Sequence, residues 1–122
     1  IGDDCLIRAH RILFEQLLLN LVLNARRAMS ERGGFLTISA RREAEMVRID
    51  VRDTGVGISR ETIDQVINPL LRGTEDATRA WQALGTGLNV CRTIAHQHSA
   101  TIDVRPNEDG RGCTFRLLWP AA

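Results

Sequence analysis

From Leu17 to Ala25 the chain carries no polar side chain except two asparagines one helical turn apart, Asn20 and Asn24. Leu17, Leu18, Leu19, Leu21, Val22 and Leu23 around them make a helix that must pack against something, so the fold has to be built on this segment. A buried amide without a partner costs roughly 1 to 3 kcal/mol. Two on one helix face therefore imply polar groups placed to meet them. Gln16, Asn20, Asn24 and Arg27 follow one another at spacings that put them on a single stripe. A solvated seam would explain Arg26 beside that stripe. It explains the two amides less well, because a solvated face rarely offers only uncharged amides within so continuous an apolar run.

The rest of the composition narrows the choices. With 122 residues, 43% apolar and 25% charged, the chain fits one domain over 1–122 with one core. A net charge of +1, with no basic stripe interleaved with aromatics, gives no case for nucleic acid. All sixteen basic residues are arginine. That excludes a P-loop lysine, a Schiff base and a strand lysine of the protein-kinase type, and leaves phosphate contacts to arginine, hydroxyls or backbone. Cys5, Cys91 and Cys113 are scattered and odd in number, and read as small buried hydrophobes in a reducing compartment. No apolar run approaches the roughly 20 residues of a membrane span, so direct membrane contact is not expected.

Apolar positions at helical spacing predict a helix over Arg11 to Met29, ended by Gly33 and Gly34. Alternation predicts strands over Phe35 to Arg41, Met46 to Asp53, Ala100 to Arg105 and Cys113 to Trp119, with Cys5 to Arg8 as a further candidate. Ser59 reads as the N-cap of a short helix that stops near Asn68 and Pro69. Arg72 to Thr86 reads as a loop, Gly87 to Gln97 as a second amphipathic helix, and Pro106, Asn107, Asp109 and Gly110 as a turn. A sheet with helices on one face follows.

Three motifs carry chemistry. The carbonyl of an asparagine such as Asn24 is a hard oxygen ligand suited to Mg2+, which keeps several waters and takes its remaining ligands from phosphates. Asp53-Thr54-Gly55-Val56-Gly57-Ile58 follows a strand, with glycines that allow a sharp turn and close approach to a ligand. A carboxylate there accepts hydrogen bonds, as an exocyclic amine requires; taken alone, the motif is explained equally well as a turn. Gly85-Thr86-Gly87 opens a helix, where free N–H groups make an anion site.

In this order the three motifs resemble the GHKL family, and within it the catalytic ATP-binding domain of sensor histidine kinases. Leu13 to Met29 looks like the N box, Asp53 to Ile58 the G1 box and Gly85 to Val90 the G2 box. The resemblance implies the Bergerat-type ATP-binding fold: a two-layer α/β sandwich with a mixed, largely antiparallel sheet. It implies Mg2+ on Asn24, phosphate and metal-shell contacts for Asn20, and phosphate contact for Arg27. Asp53 would bind adenine, with Gly55, Gly57 and Ile58 passing beneath the base, and Thr114 would share a bridging water with the aspartate and adenine. Gly85, Thr86, Gly87 and Leu88 would form the phosphate end of an ATP lid over Arg72 to Leu84.

The resemblance also implies what is missing. Hydrolytic members carry a glutamate four residues before the metal asparagine; here that position is Asn20, whose amide cannot act as a general base. Phosphorylation of a histidine on a separate dimerisation domain is therefore expected, with a response regulator beyond it. The chain's own His10, His96 and His98 lack the following acidic residue of a phosphoacceptor, and His98 reads as structural rather than as a metal ligand. A further strand is expected before Ile1, so the sequence reads as a cytoplasmic, bacterial domain cut from a longer kinase, membrane-anchored or not. The family's phenylalanines around a proline are replaced by Ile67-Asn68-Pro69-Leu70-Leu71, a third G2 glycine by Asn89 and the following leucine by Val90, and Trp81 matches no family role. Asn89 is expected to keep a left-handed turn. The rival readings are an ATPase that hydrolyses ATP unaided and a degenerate scaffold module.

Overall fold

A computed structural model describes residues 5–72 and 86–122. In chain order the elements are α1 (Arg11–Ala28), β1 (Leu36–Glu43), β2 (Met46–Asp53), α2 (Arg60–Thr62), a π-helical turn (Ile63–Ile67), α3 (Asn68–Arg72), α4 (Thr86–Gln97), β3 (Thr101–Pro106) and β4 (Cys113–Pro120). The four strands form one sheet in the order β1-β2-β4-β3, and every pairing among them is antiparallel.

Alternation gives the sheet one apolar face. Val47, Ile49 and Val51 on β2, Ile102 and Val104 on β3, and Cys113, Phe115, Leu117 and Trp119 on β4 are all buried against the helices. The opposite face is polar: Arg116 Nε donates to Asp50 Oδ1 at 2.9 Å, and Arg48 reaches the other oxygen of Asp50 at 3.3 Å. On the edge strand β1 the helix-side residues Leu36 and Ile38 remain 37% and 41% exposed.

Helices α1 and α4 run antiparallel. The His10 N–H donates to His98 Nε2 at 3.0 Å, while seven residues further along α1 the Cys91 thiol donates to the Leu17 carbonyl at 3.6 Å. His98 also bonds the Ile94 carbonyl through Nδ1 at 2.8 Å and stacks on Trp119, so both of its ring nitrogens serve the fold. Helical rise then sets Asn24 level with the start of α4.

The segment after Ser59 differs from the sequence reading. Ser59 caps it as expected, accepting from the Thr62 N–H at 3.1 Å, but the helix does not stop at Pro69. The π turn widens the backbone just before the proline, and the Asn68 N–H reaches back to the Ile63 carbonyl. Widening of this kind accommodates a ring that lacks an N–H and would crowd the carbonyl four residues back. Helix α3 then continues to Arg72 and buries Leu70 and Leu71. Asn68 completes the free edge of β3: its amide accepts from the Val104 N–H at 3.0 Å and donates to the Val104 carbonyl at 3.2 Å. Cys5 to Arg8 supplies a single bridge, Ile7 to Ala121, rather than a strand.

Burial pushes the thiols of Cys91 and Cys113 from 9.0 up to about 12. Cys113 is raised further by the neighbouring Asp53, whereas an amide hydrogen bond from Asn20 partly offsets the rise at Cys91. The chain has no tyrosine and no lysine, so cysteines are the side chains that titrate in this range. From about pH 9 to about pH 12 the unfolded state binds fewer protons than the native state, and stability must fall as pH rises. Below that window both thiols are protonated in both states and contribute no slope. Denaturant midpoints are expected to be lower at about pH 10 than at about pH 8, and less so in a Cys91→Ala, Cys113→Ala double variant. Equal midpoints in the parent would contradict the assignment.

Candidate functional site

Asp53 ends β2 on the apolar, helix-bearing face and is 1% exposed. Its Oδ1 accepts from the Gly55 N–H at 2.9 Å, closing a local turn that points the chain toward α1. There the Val56 N–H donates to the Ala28 carbonyl at 3.0 Å, so the Asp53–Ile58 loop is docked on the last turn of α1. Gly55 is required by that contact: a Cβ would stand 2.5 Å from the Ala28 carbonyl oxygen. Gly57 has φ +74°, a left-handed conformation that glycine adopts without strain. Ile58 follows, half-buried against the core.

The two asparagines have different surroundings. Asn20 is half-buried beside Cys91, and its amide favours the ionised form of that thiol. Asn24, also half-buried, makes no side-chain hydrogen bond among the described residues. It lies one turn before Ala28, whose carbonyl holds the Asp53 loop. Arg27 is exposed on the last turn of α1. Leu88 is buried in the core, and Gly87 has open space around it. Thr86 opens α4, while Gly85, Trp81 and the stretch assigned to the lid after Arg72 lie outside the described residues.

Two expectations are corrected. Thr114 does not face Asp53. It pairs across the ladder with Arg52 and Arg105 on the polar side of the sheet, and its hydroxyl donates to Asn107 Oδ1 at 2.6 Å. A one-residue offset along a strand changes face, and the residue beside the carboxylate is Cys113, with Sγ 3.9 Å from Asp53 Oδ2. Asn89 does not make a left-handed turn either. It lies within the first turns of α4 and accepts from Arg92 at 3.2 Å.

The β3–β4 turn contributes residues that the sequence reading treated only as turn formers or passed over. Asn107 is 8% exposed, and its Nδ2 donates to the Asp53 carbonyl at 2.8 Å and to the Arg111 carbonyl at 2.6 Å. Gly112 has φ +73° and packs directly on the Asp53 carbonyl, where a Cβ would collide. The alternation of Cys113, Phe115, Leu117 and Trp119 was the available signal: it fixes which residue of this strand shares the face of Asp53.

The donor set suits a nucleotide with a hard cation. Among the described residues, Asp53 offers a buried acceptor whose second oxygen meets a thiol, and Asn24 offers an amide oxygen that makes no side-chain hydrogen bond. Among the described residues no group of three histidine, cysteine or acidic side chains could hold a metal by itself. Phosphate and water would have to supply the remaining ligands. The His96 and His98 alternative fails because both nitrogens of His98 are committed.

Residues 9–122 match the family described as histidine kinase-, DNA gyrase B-, and HSP90-like ATPase. The sensor-like histidine kinase SenX3 of Mycobacterium bovis is 39% identical over 116 residues, covering 91% of this chain and 28% of that protein. The sensor histidine kinase ZraS of Escherichia coli is 35% identical over 105 residues, covering 86% and 21%. The chain thus spans about a quarter of the length of such relatives. The catalytic domain of histidine kinase ThkA superposes with a TM-score of 0.72 at 26% identity, covering 98% of this chain and 73% of that one. The chain belongs to the histidine kinase-, DNA gyrase B- and HSP90-like ATPase family, and its fold is that of a histidine kinase catalytic domain.

Proposed function

We propose that this chain binds Mg-ATP on the helix-bearing side of the sheet and donates the γ-phosphate to a histidine on a separate dimerisation domain of the same kinase. It would act as the cytoplasmic catalytic part of a longer two-component sensor that signals to a response regulator. The observation that carries the reading is a buried carboxylate, Asp53, in a loop docked on the end of α1, the helix that also carries Asn24, whose amide makes no side-chain hydrogen bond among the described residues. The relatives are multidomain sensor kinases much longer than this chain, which supports a partner domain outside it. No described helix is long and apolar enough to cross a membrane.

In this reading Asp53 accepts a hydrogen bond from the adenine amine, Gly55 and Gly57 keep the base pocket open, and Arg27 with the first N–H groups of α4 binds phosphate. Asn24 would hold Mg2+, which neutralises phosphate charge when bound. The domain contributes position and charge rather than a covalent intermediate. Asn20 carries an amide and so has no basic atom to offer, which favours transfer over hydrolysis.

Asp53→Ala should cost about 1.5 to 3 kcal/mol, or roughly tenfold to over a hundredfold in ATP affinity by titration calorimetry. Unchanged affinity would remove the adenine assignment. Asn24→Ala should abolish most of the magnesium dependence of ATP binding, while a parent chain that binds equally with and without Mg2+ would rule out the metal assignment. Incubated with γ-labelled ATP, the chain should label the histidine-bearing domain of its full-length protein and release no steady phosphate alone. Steady release by the isolated chain would favour the ATPase reading, and no binding at millimolar ATP the scaffold reading.

A further inference from the structure

The Asp53 carboxylate is oriented from the far side of the sheet. Asn107 spends both amide hydrogens on main-chain carbonyls, those of Asp53 at 2.8 Å and Arg111 at 2.6 Å. Its oxygen accepts the Thr114 hydroxyl at 2.6 Å. Turning the amide over would set its oxygen against two carbonyl oxygens, so only one orientation satisfies the network. The main chain of Asn107 is fixed as well: its N–H donates to the Gly112 carbonyl at 3.3 Å, and its carbonyl accepts from the Gly110 N–H at 3.0 Å. The same turn presses Gly112 onto Asp53, where an added Cβ would stand 2.7 Å from Oδ1. The Asp53 carbonyl is thus held by an amide, and Oδ1 lies between the Gly55 N–H and Gly112. With the main chain held and Oδ1 kept on the Gly55 N–H, the direction of Oδ2 is set as well.

We propose that Asn107, locked by Thr114, is a positioning residue that sets purine selectivity by fixing the main chain of Asp53. This rests on the adenine reading above. A carboxylate held in one place accepts from a 6-amino group and repels a 6-oxo group, because two acceptors cannot pair. A carboxylate free to swing away loses part of the attraction and part of the repulsion. Selectivity therefore measures how firmly Asp53 is held, whereas a purely structural role for Asn107 would change only stability.

Asn107→Asp keeps the shape but replaces the donor with an acceptor facing two carbonyls. It is expected to weaken ATP binding about tenfold and to reduce the preference for ATP over GTP by a similar factor, measured by titration at a temperature where the variant is folded. Thr114→Val removes only the hydroxyl that locks the amide and should give a smaller shift of the same sign; Thr114→Ser should restore parent selectivity. If Asn107→Asp does not fold, the Thr114 pair decides. Parent-like ATP affinity and ATP-over-GTP ratio in Thr114→Val and in any folded Asn107→Asp, with Asp53→Ala impaired, would overturn the positioning role and leave the adenine reading intact. A parent with no preference between the two purines, or an unimpaired Asp53→Ala, would overturn both.

Discussion

Val47, Ile49 and Val51 on β2 and Phe115, Leu117 and Trp119 on β4 form one continuous apolar surface across the two central strands, and covering it determines where every other element sits. Helices α1 and α4 can bury their own stripes only by lying on that face, which brings Asn20 and Asn24 over the sheet. Because the alternation is strict, the end of β2 delivers Asp53 to the helix side and leaves Arg52 on the solvent side. At about 25 cal/mol per Å², a side chain as large as Trp119 or Phe115 contributes enough that a register slip of one residue is strongly disfavoured. The site inherits its precision from that register.

Much of this was legible in the chain. The four strands were visible as alternation, and α1 and α4 as helical spacing, to within a residue or two. What escaped was non-local. Pro69 reads as a stop because proline usually ends a helix, but a π turn that depends on packing of Ile63 and Ile67 lets the helix pass it. Asn107 reads as an ordinary turn residue, since nothing near it in sequence reveals that its amide reaches Asp53, 54 positions away. Thr114 was placed by resemblance rather than by its own alternation, which would have assigned it to the polar face. Asn68 shows the same limit: the residue that departs from the family's aromatic pattern plugs the edge of β3.

The two asparagines of α1 differ in their surroundings. Asn20 lies beside the Cys91 thiol, which donates to the Leu17 carbonyl, so this amide sits within the α1–α4 contact. One turn later Asn24 makes no side-chain hydrogen bond among the described residues, which leaves its half-buried amide available to an incoming partner. The asymmetry is informative because the two residues share a helix, a face and a chemistry.

Asp53 makes the same argument with a charge-bearing group. A carboxylate 1% exposed needs strong donors, yet among the described residues one oxygen has a single N–H and the other only a thiol at 3.9 Å. A thiol is a weak donor, so the internal partner satisfies the oxygen incompletely. A hydroxyl in place of Cys113 would satisfy it better and leave less to gain from an incoming amine. The weak partner keeps most of the carboxylate's accepting capacity in reserve, at a cost to the free chain that Gly55, Gly112 and Asn107 offset by holding the surrounding backbone. A site that is rigid around an under-satisfied acceptor binds a donor with little ordering loss, and most of the hydrogen-bond energy is left for affinity.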